Sequence, residues 1–309
     1  MIPLIIIAGP TATGKTNLSI SLAKAIYGEI ISADSMQVYK GFDIGTAKIT
    51  KDEMCGIKHY LIDEVEPDFN FNVYEFKTRA KKYINQIYEK GKIPILVGGT
   101  GFYIQSILYD IDFEEETSDT SYRQELEKIA DEKGALYLHN MLKEIDEDAA
   151  SDIHFNNVKR VIRALEFFKE NNQKISEHNK TQQAKTSPYN FAYFVINRDR
   201  QVVYDRINMR VDLMMEKGLL DEVKGLVDSG ISFDCVSMQG LGYKEIASFL
   251  KGECSKEEAV NLIKQSSRHY AKRQITWFKR EKDAIWIDVD SSENVLENIL
   301  DVLKEKKIV

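Results

Sequence analysis

Eight residues near the start of the chain, Gly9-Pro10-Thr11-Ala12-Thr13-Gly14-Lys15-Thr16, follow the pattern Gly-x-x-x-x-Gly-Lys-Ser/Thr. This is a phosphate grip. The glycines let the backbone curl until its N–H groups aim at phosphate oxygens, and the helix that follows adds its positive end. Lys15 supplies a mobile cation, and the Thr16 hydroxyl can ligate Mg²⁺. A second reactive group, Asp34, stands in Ser32-Ala33-Asp34-Ser35-Met36-Gln37-Val38-Tyr39 behind an apolar run. In open parallel sheets the carboxyl ends of strands face the ligand crevice, so a carboxylate there can take a proton from an attacking nucleophile. A turn-forming Asp bonded to its own backbone would explain the same position. Gly45-Thr46-Ala47-Lys48 and Gly98-Gly99-Thr100-Gly101 offer close backbone approach and hydroxyls, but either alone is a weak signal.

A phosphate grip does not say what happens to the phosphate. Kinases and nucleotidases usually set an Asp at the end of an apolar strand to organise Mg²⁺. Here the β-branched run Ile93 to Val97 ends in Gly98-Gly99-Thr100, and the run before Asp63 is short. The phosphoryl-transfer apparatus is therefore incomplete.

The elements that must position these groups alternate. Residues 4–8 read as a buried strand leading into the phosphate loop. A helix from about Lys15 carries Leu18, Leu22, Ala25 and Ile26 on one face, with Gly28 at its end. Glu29 to Ala33, His59 to Asp63 and Ile93 to Val97 read as strands, with a helix over about 73–90. Strand–helix alternation predicts a parallel sheet flanked by helices, a P-loop NTPase-like α/β fold. The acidic stretch Glu114 to Ser121 marks a boundary, after which only helical patterns follow to about Asn172. Ser121 with Gln124 resembles a capping box, Gly134 marks a helix stop, and Asn157 can cap a helix bearing Val158, Val161, Ile162, Leu165 and Phe168. Strand character returns at Phe191 to Ile196 and again at Ala284 to Val289. The expected organisation is a catalytic core of residues 1–113 and 188–309 interrupted by an all-helical insertion, 114–187.

Composition narrows the class. The ends show no signal peptide, and no apolar run reaches the roughly 18 residues of a membrane helix. Cys55, Cys235 and Cys254 form no metal-ligand or Cys-x-x-Cys spacing, and the histidines give no zinc signature. A cytoplasmic protein with free thiols and no membrane contact is expected. The net charge of −7 argues against non-specific coating of nucleic acid, though not against a local basic surface.

The loop Gly9 to Thr16, Ser32 to Tyr39, Asp43-Ile44-Gly45-Thr46-Ala47-Lys48 and Val97-Gly98-Gly99-Thr100-Gly101-Phe102-Tyr103 occur in this order. Arg160-Val161-Ile162-Arg163-Ala164-Leu165-Glu166, Gly240-Leu241-Gly242-Tyr243-Lys244-Glu245 and Lys272-Arg273-Gln274-Ile275-Thr276-Trp277-Phe278 follow. Over nearly the whole chain this set resembles the tRNA dimethylallyltransferases, or tRNA isopentenyltransferases, of the bacterial type. The resemblance implies transfer of a dimethylallyl group from dimethylallyl diphosphate to the exocyclic N6 amino group of the adenosine 3′-adjacent to the tRNA anticodon, with diphosphate leaving. It makes Asp34 the general base, Thr11 to Thr16 the diphosphate site, Thr100 a neighbour of the reacting centre and Arg210 a clamp on the diphosphate beside Arg206. Without it, a solvated helix face explains both arginines. It also implies tRNA contacts at Asp34, Ser35, Met36 and Gln37, at Thr100 and Arg123, at Lys159, Arg160, Val161, Ile162 and Arg163, and at Gln239, Gly240, Leu241, Gly242, Tyr243 and Lys244. The expected partners are the anticodon stem-loop of tRNA and dimethylallyl diphosphate with Mg²⁺, acting on a monomer.

The helical periodicity of residues 268–280 supports an RNA surface. Arg268, His269, Lys272, Arg273, Lys279 and Arg280 cluster on one side, opposite Tyr270, Ala271, Ile275, Trp277 and Phe278, and the stretch has no acidic residue. Lys159, Arg160 and Arg163 likewise lie opposite an apolar face. Two other readings share the phosphate grip. A small-molecule kinase would need the missing metal apparatus. An adenylate isopentenyltransferase acting on free nucleotide would not need the insertion or the basic stripes.

Overall fold

The computed structural model describes residues 1–113, 121–291 and 294–309. The expected acidic connection falls on 114–120, outside the described residues. The first unit comprises Met1–Leu108 and Pro188–Val309, and the second Tyr109–Ser187.

In the first unit, β1 (Pro3–Ala8) leads into α1 (Lys15–Ile26), followed by β2 (Gly28–Ala33), β3 (His59–Tyr60), α2 (Val73–Glu89), β4 (Ile93–Gly98) and α3 (Gly101–Leu108). The second unit carries α4 (Ser121–Lys133), α5 (Ala135–Ile145), α6 (Glu147–Asp152), α7 (Val158–Asn171) and α8 (Ile175–Gln183). The first unit resumes with β5 (Asn190–Asn197), α9 (Arg200–Glu216), α10 (Leu219–Asp228), a 3-10 turn Val236–Gln239, α11 (Tyr243–Leu250), α12 (Lys256–Phe278), β6 (Ala284–Asp288) and α13 (Val295–Glu305).

All six strands form one parallel sheet in the order β3-β2-β4-β1-β5-β6. Parallel strands covered on both faces read as continuous apolar runs, and β1, with Leu4, Ile5, Ile6 and Ile7 fully buried, is such a run. On one face Ile5, Ile7, Ile30, Ile95, Phe194 and Ile196 pack with Leu22 of α1 and Ile299 and Leu303 of α13. Register places Gly98 opposite both Ala8 and Ala33. The phosphate loop, the Gly99 loop and Asp34 therefore leave three adjacent strands at the same carboxyl edge.

Two local expectations are corrected. Gly28 does not end α1: it opens β2, where a Cβ would lie 2.8 Å from Ile95 Cδ1, and Tyr27 turns left-handed to close the helix. Asn157 precedes α7 but its side chain makes no capping bond.

The helical unit has its own core of Leu126, Leu138, Leu142, Val161 and Leu165. Buried Asp146 caps α6 through the Ala149 N–H, 3.0 Å away, and accepts from both the N–H and hydroxyl of Ser176. These bonds offset the cost of burying its charge and hold its carboxyl below the usual range against the opposing pull of burial.

Candidate active site

The phosphate loop is held from several sides. A Cβ on Gly9 would lie 2.4 Å from the Ile196 carbonyl oxygen of β5, so only glycine lets the loop leave β1 this close to its neighbour. Ala12, at φ 65°, packs on Val203 and Ile207 of α9 and Ala271 of α12. The Thr13 hydroxyl donates to the Pro10 carbonyl at 2.9 Å, and its own carbonyl accepts from Arg198 Nε at 3.0 Å. The Arg198 guanidinium also pairs with Asp290. The Thr11 N–H donates to Gln274 Oε1 at 3.0 Å. Gly14, left-handed, opens α1, and Thr16 sits exposed in its first turn.

Besides Arg198, three more cationic side chains share this loop's surroundings. Lys15 Nζ donates to the Pro10 carbonyl at 2.6 Å. Burial, and then Arg210, lower its pKa from 10.5 to about 7 against the opposing pull of Asp34. Arg210 Nη1 donates to Thr11 Oγ1 at 3.1 Å. Desolvation and then Arg206 push the Arg210 guanidinium down, again opposed by Asp34. Arg206 and Arg210 are thus one turn apart on α9, close enough to repel. Positive charge concentrated here, only partly offset by Asp34, favours an arriving anion.

Asp34 follows β2 directly. Its Oδ1 accepts from the Met36 and Gln37 N–H groups at 2.9 and 3.2 Å. The backbone-bonded turn and the reactive carboxylate are therefore compatible: the turn fixes one oxygen and leaves Oδ2 without a hydrogen bond among the described residues. The Thr100 N–H donates to the Ala33 carbonyl at 3.3 Å, which brings Thr100 beside Asp34. Thr100 Oγ1 is buried and has no partner at hydrogen-bond geometry, although the Tyr270 phenol lies near enough to feel it. Burial, and secondarily the Asp34 charge, raise Tyr270 to about 12, and burial, then Tyr39 and Asp34, move the Tyr103 phenol upward as well.

The neighbouring loops are held by polar contacts. Gln37 Nε2 donates to the Thr46 carbonyl at 3.2 Å. Glu222 of α10 accepts from three successive N–H groups, those of Asp43, Ile44 and Gly45, and from the Tyr243 hydroxyl at 2.6 Å. Lys48 reaches the Tyr39 carbonyl, Asp43 and Asp63, so the Asp63 carboxylate is tied to a lysine. A Cβ on Gly240 would meet Met36 Cε at 2.5 Å, which sets the 239–244 segment against Met36. There Gln239 and Lys244 are exposed and Leu241 half-buried. Gly240, Gly242 and Tyr243 are buried, and the Tyr243 ring packs on Phe42 at 4.6 Å.

On α12, His269, Lys272, Arg273 and Arg280 rim an open hollow of about 430 Å³ floored by Thr276 and Trp277. Arg268 turns from this stripe to Asn208 Oδ1 of α9, 2.6 Å away. The sequence reading overlooked Gln274, Arg198 and Glu222. Gln274 did leave a signal: it stands between Ala271 and Phe278 on the buried side of α12, where a polar side chain requires partners. In the helical unit, Lys159 and Arg160 are exposed and Arg163 half-buried, whereas Val161 and Ile162 belong to its core. Arg123 makes two bonds of 2.8 Å to Glu166.

Known proteins share this sequence and fold. The sequence profile of the IPP transferase family matches residues 37–281. A tRNA dimethylallyltransferase of Lachnoclostridium phytofermentans is 57% identical over the full length of both chains. One from Clostridioides difficile is 54% identical over 95% of this chain and 94% of its own. Among solved structures, the tRNA isopentenylpyrophosphate transferase of Bacillus halodurans matches with TM-score 0.75 at 44% identity, covering 99% of this chain and 98% of its own. With a fold and a sequence shared from end to end, this chain belongs to the IPP transferase family, that of the tRNA dimethylallyltransferases.

Proposed function

We propose that the protein transfers a dimethylallyl group from dimethylallyl diphosphate to N6 of the adenosine 3′-adjacent to the tRNA anticodon. The observation that carries this reading is a carboxylate with one free oxygen, Asp34 Oδ2, electrostatically coupled to the phosphate-loop cations Lys15 and Arg210. That pairing suits a reaction with a proton to remove at one end and a diphosphate to release at the other.

The amino nitrogen attacks C1 of the prenyl group. The C1–N6 bond forms as the C1–O bond breaks, and the electron pair stays on the diphosphate oxygen. The N6 proton passes to Asp34. Loop N–H groups, Lys15 and Arg210 take up the leaving charge, and bidentate guanidinium bonds grow stronger as it builds. Thr100 Oγ1, buried and unpartnered, is set to bond the incoming amine or the diphosphate. The target base is stacked in the anticodon loop and must be drawn out to reach Asp34.

Mg²⁺ fits as an ion that travels with the diphosphate. The Thr16 hydroxyl is the protein donor, and no acidic cluster able to hold a metal is found among the described residues. Such an ion usually keeps water and substrate oxygens as its other ligands and neutralises phosphate charge. Gln239, Lys244 and the α12 stripe are assigned to tRNA, as are Lys159, Arg160 and Arg163. Val161 and Ile162 serve by shaping the helix that presents those cations. The protein is proposed to act as a cytoplasmic monomer; no helix among the described residues is long and apolar enough to cross a membrane.

The test is incubation with unmodified tRNA, Mg²⁺ and radiolabelled dimethylallyl diphosphate, with AMP or ATP replacing tRNA in parallel. Label in tRNA alone is expected. Label in the free nucleotide would move the assignment to an adenylate isopentenyltransferase, and label in neither would overturn prenyl transfer.

A further inference from the structure

Gln274 is 6% exposed and sits in the middle of the buried side of α12. Both ends of its amide are used. Oε1 accepts from the Thr11 N–H at 3.0 Å, and Nε2 donates to the Gly99 carbonyl at 2.9 Å. The orientation of the amide is set by its partners, because a backbone N–H can only donate and a carbonyl can only accept. One side chain therefore spans the two loops on which the site is built. Thr11 carries the hydroxyl that accepts from Arg210, and Gly99 precedes Thr100.

The contact admits little slack. A Cβ on Gly99 would lie 2.1 Å from Gln274 Nε2, and one on Gly101 would lie 2.1 Å from Trp277 Cδ1, so α12 rests directly on the backbone of the Gly99 loop. Among the described residues no other side chain of α12 hydrogen-bonds either loop, although the Tyr270 phenol lies beside Thr100. Resting on the functional reading above, we propose that Gln274 is a positioning residue for prenyl transfer: its amide fixes the spacing between the diphosphate-holding Thr11 backbone and the Thr100 side of the site.

The argument is one of geometry. Reaction between two bound partners requires their reacting atoms at near-attack separation, and a displacement of about 1 Å costs on the order of 10² in rate. The loops leave different strands, so strand pairing alone does not set the height of one loop over the other. A bridging amide does. Replacing it by an apolar group of similar size leaves the Thr11 N–H and the Gly99 carbonyl unpaired and the two loops free to separate.

Gln274→Glu and Gln274→Met separate positioning from mere packing. Both keep the length of the side chain. The carboxylate of Gln274→Glu retains the acceptor for Thr11 but turns a second acceptor toward the Gly99 carbonyl; when protonated it donates there again. Burial and the Gly99 carbonyl it faces raise this carboxyl above its usual range, opposed by the cations Lys15 and Arg210 around the phosphate loop; the Tyr270 phenol beside it is neutral. The expected result for Gln274→Met is a fall of about 10–100-fold in kcat with tRNA affinity within about twofold of wild type. Gln274→Glu should show the same loss at high pH and regain activity relative to wild type as pH falls. Kinetics of either variant matching wild type at every pH would overturn the proposal. So would equal losses of kcat and tRNA affinity without pH rescue, the mark of a purely structural role.

Calorimetric binding of inorganic pyrophosphate to the wild type and both variants keeps this test separate from the functional reading. If the wild type does not prenylate tRNA, that reading fails, while weaker pyrophosphate binding in Gln274→Glu with recovery at low pH would still uphold the bridge. Unchanged pyrophosphate binding in both variants would then overturn it.

Discussion

Asp34 and Lys15 carry opposite halves of the proposed chemistry, and each can be tested alone. Asp34→Ala removes the proton acceptor together with the Oδ1 bonds that shape its turn. Turnover should fall about 10²–10⁴-fold while tRNA binding, read by filter retention, stays largely intact. Unchanged turnover would remove Asp34 as the base. For Lys15 the sign follows from a pKa lowered from 10.5 to about 7. Above about pH 7 the free protein holds this amine mostly neutral, and an incoming diphosphate draws the proton back. Pyrophosphate binding should therefore take up a proton at about pH 8 and much less at about pH 6, and affinity should decline as pH rises through 7. Calorimetry in buffers of different ionisation enthalpy measures this uptake; a profile identical in Lys15→Met would exclude Lys15 as its source. Residue types at motif spacing were enough to single out Asp34 and Lys15, whereas Thr100 and Arg210 were named only through the family resemblance. Gln274 and Arg198 stayed hidden because each works through backbone groups far away in sequence, and no spacing rule encodes a bond between residues 274 and 11 or between 198 and 13.

At the scale of elements, α12 is the most informative. Its charged side was legible because helical periodicity separates Lys272 and Arg273 from Ala271 and Phe278. Its buried side was only half legible: a wheel tells inside from outside but not which loop lies beneath. Arg268 shows the limit, since it falls within the basic arc and yet bonds Asn208 of α9. The exposed pair gives a graded prediction. Lys272→Ala and Arg273→Ala should each weaken tRNA binding and reduce the slope of log K against log salt by about 1, as expected for loss of one phosphate contact. Titration across salt concentrations checks this, and an unchanged slope in both variants would take the stripe out of the interface. Strand bounds were read from apolar runs to within a residue or two, except for β3. That strand is only His59–Tyr60 because Leu61 and Asp63 turn left-handed, which an apolar run does not disclose.

Over the whole molecule, the alternation of strands and helices disclosed a parallel sheet, and the return of strand character after Pro188 disclosed its interruption. Strand order was not legible, because nothing in β4 or β5 states that both flank β1. The helical unit's separate core leads to a further prediction. Leu138 is fully buried among Leu126, Leu142 and Leu165, so Leu138→Ala should cost about 2–5 kcal/mol locally. Denaturant titration should show an early transition assigned to that unit, with pyrophosphate binding preserved until the second; simultaneous loss of both would refute independent cores. The placement of β5 also bears on how the protein is made. β1 is synthesised first and pairs with β4, but its other neighbour begins roughly 90 residues after β4 ends, a delay on the order of 5–18 s at ribosomal rates of about 5–20 residues/s. Through that interval the nascent sheet offers the open edge of its most apolar strand to whatever is nearby. Translation speed across the insertion, and chaperone capture of the half-built core, thus govern the yield of folded enzyme.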